Sequence, residues 1–251
     1  MTVENDWKQL RDLTAARIAL GRAGHSLPTR ELLAFQLSHS KARDAVHHPL
    51  DPFSLATDLK KRGLEAILIH SAAQDRIIYL RRPDLGRRVA PEHRERLERG
   101  DFDAVIIIAD GLSATAIHRH AIPLLDALLP ELENFRLAPI IVVEQGRVAI
   151  GDEIGELLNA RLTILLIGER PGLSSPDSLG VYLTWDPRTG RTDAERNCVS
   201  NIRTEGLDPA LAGKRVAALA RAARSHQLTG VGLGSGSALS SASAHDAGPV
   251  T

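Results

Sequence analysis

Three runs of aliphatic residues constrain this chain more than any other feature. Asp103–Ala109 (DAVIIIA), Pro139–Val143 (PIIVV) and Leu162–Ile167 (LTILLI) are β-branched and apolar, with no alternation of polar and apolar positions. A strand that faces water on one side alternates, whereas a strand covered on both faces does not. The runs therefore predict a mostly parallel sheet with helices on both sides.

Each run ends in a polar loop containing glycine. Asp110-Gly111-Leu112-Ser113 follows the first, Glu144-Gln145-Gly146-Arg147 the second, and Gly168-Glu169-Arg170-Pro171-Gly172 with Ser174-Ser175-Pro176-Asp177-Ser178 the third. Ligands of open α/β sheets sit outside the carboxyl ends of the strands, where backbone N–H groups and hydroxyls are presented. One such loop reads as a surface turn. Three in succession describe one rim of a crevice. Ser113 also suits the cap of a helical pattern from Ala114 to Leu132, and Asp152 the cap of the helix through Leu158, with Asp110 reading as a turn residue. Both carboxylates remain candidate site-lining groups.

The chain divides into three parts. Residues 1–63 read as helices, with Trp7, Leu10, Leu13, Ala16 and Ile18 at helical spacing, Gly21 and Gly24 as terminators, and Thr29 opening a second helix that carries Leu32, Leu33, Gln36 and Leu37. Residues 64–231 alternate strands and helices, as a doubly wound sheet does. Residues 232–251 (GLGSGSALSSASAHDAGPVT) are too small and polar to bury anything and read as a disordered tail.

Composition narrows the function classes. Lys plus Arg and Asp plus Glu both number 31, so no net charge draws the chain to nucleic acid. The single cysteine, Cys198, excludes an intramolecular disulfide and a multi-cysteine zinc site. No apolar stretch nears the roughly 20 residues that span a bilayer, and no signal-peptide pattern opens the chain, so neither nucleic acid nor membrane is an expected partner. Among ten histidines, the pairs His47-His48 and His118/His120 do not share a helix face as i, i+4 ligands would, and no metal site is expected. There is no GxSxG, HExxH, P-loop or DxHxxG string, and no catalytic residue is assigned to this chain. The basic string Arg81–Arg88 lacks interleaved aromatics and reads as a surface or subunit contact, and Arg17, Arg22, Arg30 and Arg43 suit pairing with carboxylates on a partner.

Several long strings resemble one family. ADGLSA (109–114), QGRVAIGDEIGELL (145–158), LIGERPGLSSPDSLGVYLTW (166–185) and RNCVSNIR (196–203), together with TAARIALGRAG (14–24), LPTRELLAFQLSHSKARDAV (27–46) and YLRRPDLGRR (79–88), are similar to the small subunit of ethanolamine ammonia-lyase, collinearly from about Trp7 to Val231. The resemblance implies an α/β, Rossmann-like, doubly wound, mostly parallel sheet with an N-terminal helical extension. It implies adenosylcobalamin as cofactor, bound in part by this chain at the interface with a large catalytic subunit, and a chain inactive alone. It also implies a cytoplasmic hetero-oligomer, with a bacterial microcompartment as an alternative location. The few residues ahead of the first helix weigh against encapsulation. By matching position, Val148, Glu169 and Cys198 are the implied cofactor contacts. The strand-end loops add Ser113, Gly146, Arg147, Gly168, Pro171, Gly172, Ser174, Ser175 and Ser178. Without the resemblance, Val148 reads as a core residue, Glu169 as an ion-pair partner of an arginine, and Cys198 as an inert packed thiol. Two other readings are a stand-alone cobalamin or nucleotide carrier and a nucleotide-dependent oxidoreductase, the latter disfavoured by the missing GxGxxG turn.

Overall fold

The computed structural model describes residues 3–14 and 16–234. In chain order the elements are α1 (Val3–Asp12), α2 (Thr29–His47), α3 (Pro52–Lys60), β1 (Ala66–His70), α4 (Arg76–Arg81), β2 (Phe102–Ala109), α5 (Ala114–Leu128), β3 (Ile140–Glu144), α6 (Ile150–Leu158), β4 (Ala160–Gly168), β5 (Leu179–Trp185), β6 (Arg196–Ile202), α7 (Pro209–His226) and α8 (Val231–Gly234). The six strands form one mixed sheet in the order β1-β3-β2-β4-β5-β6. The β1–β3, β3–β2 and β2–β4 pairs are parallel, and the β4–β5 and β5–β6 pairs antiparallel.

Period-two geometry explains the unbroken apolar runs. In β2, Ala104, Ile106 and Ile108 join a core shared with α3, α5 and α7, while Val105, Ile107 and Ala109 join a core beneath α6 on the opposite face. β3 and β4 divide in the same way, Leu166 going to one core and Ile167 to the other. Both faces of the central stretches are therefore apolar.

The antiparallel wing was not foreseen as such: no α-helix separates β4 from β5 or β5 from β6, and only a single 3-10 turn at Asp193–Glu195 precedes β6. Its two faces differ. Leu179, Val181, Leu183 and Ile202 are buried in the core shared with α7, whereas Tyr182 is only partly buried on the α6 side and Cys198 is exposed. On that side α6 packs mainly on β4 and β2 and reaches β6 through Asp152 and Arg196, so Tyr182 and Cys198 stand on a ledge beside it.

The amino-terminal reading holds in part. Gly21 and Gly24 adopt φ of +79° and +63°, and α2 opens at Thr29 as expected. α1 stops at Asp12, before Ala16 and Ile18, and the Thr14 hydroxyl accepts the Ala16 N–H in a local turn that competes with helix. Fully buried residues on α2 are limited to Ala45. Of the expected tail, Leu233 is buried, and residues 235–251 lie outside the described residues. No helix of the described residues is long and apolar enough to cross a membrane.

Candidate cofactor site at the strand ends

Because β3, β2 and β4 are parallel neighbours, their carboxyl ends bring the three polar loops together. A cavity of about 390 Å³ opens there, lined by Gly111 and Leu112 after β2, Arg147 and Val148 after β3, and Gly168, Glu169 and Arg170 at the end of β4. Ile167 of β4, Tyr79 from α4 and Tyr182 from β5 complete it.

Two glycines allow the loops to approach so closely. Gly111 has φ +56°, and a Cβ on it would lie 2.2 Å from the Gly168 carbonyl oxygen; a Cβ on Gly168 would lie 2.1 Å from the Ser113 carbonyl oxygen. The Leu112 N–H donates to the Gly168 carbonyl at 2.9 Å, so the crossing is hydrogen-bonded. Any side chain at either position separates the two loops.

Below the rim lies a charged pillar. Asp110 is 2% exposed and accepts from the Gly146 N–H at 3.1 Å and from Arg76 Nη1 at 3.3 Å. Arg76 Nη1 also donates to the Gly111 carbonyl and to Gln145 Oε1. Burial raises the Asp110 carboxyl to a pKa of about 6, against the opposing pull of Arg76. Tyr79, fully buried, is flanked by the Arg76 and Arg147 guanidinium carbons at 4.7 and 4.1 Å from its ring centre, and its hydroxyl donates to the Gly146 carbonyl. Arg147 Nη2 donates to the Tyr79 carbonyl, while its buried Nε has no acceptor among the described residues. Gln145 holds φ +57° at the end of β3, the kind of backbone strain that surrounding contacts must impose.

The expected site residues separate into three groups. Arg147, Val148, Gly168 and Glu169 line the cavity. Cys198 lies just beyond it, directly across the β5–β6 ladder from Tyr182. The others support the loops. Ser113 is buried, caps α5 by accepting the Ala116 N–H, and donates to the Pro176 carbonyl. Gly146 is buried beneath Arg147, and Pro171 leads into a tight turn closed by paired Gly172 and Ser175 backbone bonds. The Ser174 carbonyl accepts from Arg203. The buried Ser178 hydroxyl donates to Glu169 Oε2, which also accepts the Asn201 N–H at 3.3 Å. Glu169 Oε1 is left facing Gly180, where a Cβ would lie 2.9 Å away.

Glu169 therefore does not pair with Arg170 or another arginine among its hydrogen bonds. Asp152 does not cap α6 through its side chain. It sits in the first turn of the helix, 1% exposed, and both carboxylate oxygens accept from Arg196 at 2.6 and 2.7 Å. His118 accepts the Asp51 N–H and meets the His48 ring edge-on at 5.9 Å, and among the described residues no group of three or more His, Cys, Asp or Glu is arranged to hold a metal ion. The Cys198 thiol is pushed up by desolvation and by the Glu169 carboxylate, while a hydrogen bond from Tyr182 opposes them. It remains a thiol at neutral pH, not a nucleophile.

Sequence reasoning passed over Tyr79, Tyr182 and Arg76. Composition held a signal for the tyrosines, since the chain has only two and both line this cavity. Arg76 carried none, being one arginine among many.

The family model described as ethanolamine ammonia-lyase light chain (EutC) matches residues 4–234. Three relatives, each described as "Ethanolamine ammonia-lyase small subunit", illustrate the likeness. The Azotobacter vinelandii (strain DJ) protein is 59% identical over 238 residues, covering 92% of this chain and 88% of its own. That of Xanthomonas campestris pv. campestris is 57% identical over 235 residues, covering 90% and 86%. That of Pseudomonas aeruginosa (strain LESB58) is 54% identical over 240 residues, covering 92% and 88%. With a family match across nearly the whole chain and relatives above half identity, this chain belongs to the ethanolamine ammonia-lyase light-chain family.

Proposed function

We propose that this chain is the small subunit of adenosylcobalamin-dependent ethanolamine ammonia-lyase, which converts ethanolamine to acetaldehyde and ammonia, and that it seats one edge of the cofactor while a large subunit closes the site. The observation that carries this reading is a convergence. Val148, Glu169 and Cys198 come from three separate strings of the sequence, yet Val148 and Glu169 line one cavity with Tyr182, and Cys198 faces that tyrosine across the ladder.

The residues present fit part of a corrinoid. A corrin fringed with amides offers both apolar surface and hydrogen-bonding groups. The cavity supplies Val148, Leu112 and Tyr182 for the first, and Glu169 Oε1 and the acceptor-free Arg147 Nε for the second. Because the whole cofactor is far larger than a cavity of about 390 Å³, this chain holds one edge and the remainder needs a partner. Once bound, adenosylcobalamin supplies the radical chemistry. This chain binds, orients and helps to exclude water, and we assign it no catalytic residue.

The large subunit is the partner we infer, in keeping with the "small subunit" description of the relatives. Leu32, Leu33, Phe35 and Leu37 on α2 are each more than 40% exposed, which a helix of 19 residues does not sustain alone in water. We take residues 1–63 as a helical extension that docks on that subunit and residues 64–231 as the cobalamin-binding domain, Rossmann-like in its parallel half. We place the assembled enzyme in the cytoplasm.

Reconstitution tests the reading. Ammonia release from ethanolamine with adenosylcobalamin is expected only when this chain is combined with the large subunit. Turnover by this chain alone, free of large subunit by mass spectrometry, contradicts it.

A further inference from the structure

Tyr182 stands at the meeting point of the candidate contacts without having been assigned any role. Its ring packs, as Val148 does, against the core on the α6 side of the sheet, and it lines the cavity with Val148 and Glu169. Its cross-strand neighbour is Cys198. β5 and β6 carry α7 on the other face only, so the ring forms the floor of the ledge described above. The remaining polar neighbours are already engaged. Glu169 Oε2 is held by Ser178 and Asn201, and the second tyrosine, Tyr79, is fully buried with its hydroxyl on the Gly146 carbonyl. Tyr182 is thus the aromatic surface that the cavity leaves available.

A half-buried aromatic ring offers a ligand its apolar face. Such a ring loses little conformational freedom on binding, which is why aromatic anchors dominate many recognition sites.

We propose that Tyr182 is a further cofactor-contacting residue of this subunit, its ring supporting the planar apolar edge of the corrin. The proposal rests on the cobalamin reading above and adds a residue to it. Phenylalanine keeps the platform. Alanine loses it.

The test uses the full chain assembled with the large subunit and cyanocobalamin, which binds without turnover. Equilibrium dialysis is expected to show Tyr182→Ala weakened by at least about tenfold and Tyr182→Phe by less than about fivefold. Parental affinity in an assembled Tyr182→Ala complex overturns the platform, and so does a Tyr182→Phe complex weakened as far as the alanine one. Should the alanine variant fail to assemble, Tyr182→Leu keeps an apolar side chain without the aromatic plane; weaker binding then supports the proposal and parental binding overturns it. Loss of cyanocobalamin binding by the parent complex itself would instead remove the cobalamin reading beneath it.

Discussion

Arg196 on β6 clamps Asp152 on α6 through two hydrogen bonds of 2.6 and 2.7 Å, with both side chains almost fully buried. Arg196 is further held by the Thr184 hydroxyl and the Arg191 carbonyl. The clamp joins the helix that follows Val148 to the strand that carries Cys198, and so fixes the spacing across the ledge. Removing one partner strands a buried charge. Asp152→Ala is expected to lower unfolding stability by about 3–5 kcal/mol, read from the urea midpoint, whereas a joint apolar replacement of both residues recovers much of the loss.

The Gly111–Gly168 crossing makes a sterically sharper demand. Gly168→Ala places a methyl group 2.1 Å from the Ser113 carbonyl, and backbone cannot swing aside as a side chain can. A loss of about 1–3 kcal/mol in thermal or denaturant unfolding is expected, together with weaker cobalamin binding because the loop bearing Glu169 shifts. An alanine variant with parental stability and binding would show that the crossing can relax.

Asp110 gives the fold a pH dependence of definite sign. Burial raises its folded pKa from 3.8 to about 6, with Arg76, Glu144 and the Gln145 and Gly146 amides as its neighbours. Between these values the folded chain retains a proton that the unfolded chain has released. This group therefore contributes stability that falls as pH rises through the window, by up to about 1.4 kcal/mol per pH unit. Asp110→Asn, which still accepts from the Gly146 N–H, is expected to weaken that trend in urea titrations from pH 4 to 6. An unchanged slope would place the Asp110 titration elsewhere.

The parallel half of the sheet was legible because covering on both faces removes alternation, so Ile106, Ile107 and Ile108 could all be apolar. The antiparallel wing was less so: Tyr182 and Cys198 face a ledge while Val181 and Val199 pack inward, and a short strand of mixed pattern does not state what covers it. The strand-end glycines marked the rim, but composition could not separate the residues that line the cavity, such as Glu169, from those that brace it, such as Ser113 and Ser178. That distinction depends on which hydroxyls are consumed by neighbouring loops. Asp152 was misread as a cap because its partner, Arg196, lies 44 residues away, and only the fold brings the two together.

The α2 face predicts an assembly defect separable from folding. Leu33 and Leu37 lie one turn apart and are each 58% exposed. Leu33→Glu combined with Leu37→Glu is expected to abolish co-elution with the large subunit on size exclusion, while the unfolding midpoint of the isolated chain stays within about 0.5 kcal/mol of the parent. Normal assembly of the double variant would move the docking surface away from α2.

The most direct measurement of the central claim is equilibrium binding of cyanocobalamin to the reconstituted complex, with the parent chain compared with Glu169→Gln. Ser178 and Asn201 hold the Glu169 side chain from one oxygen and leave the other for a ligand. Loss of a hydrogen bond to a charged group costs about 1.5–3 kcal/mol, so the glutamine complex is expected to assemble normally and to bind about 10- to 150-fold more weakly. An assembled Glu169→Gln complex that binds cyanocobalamin as tightly as the parent would contradict the account.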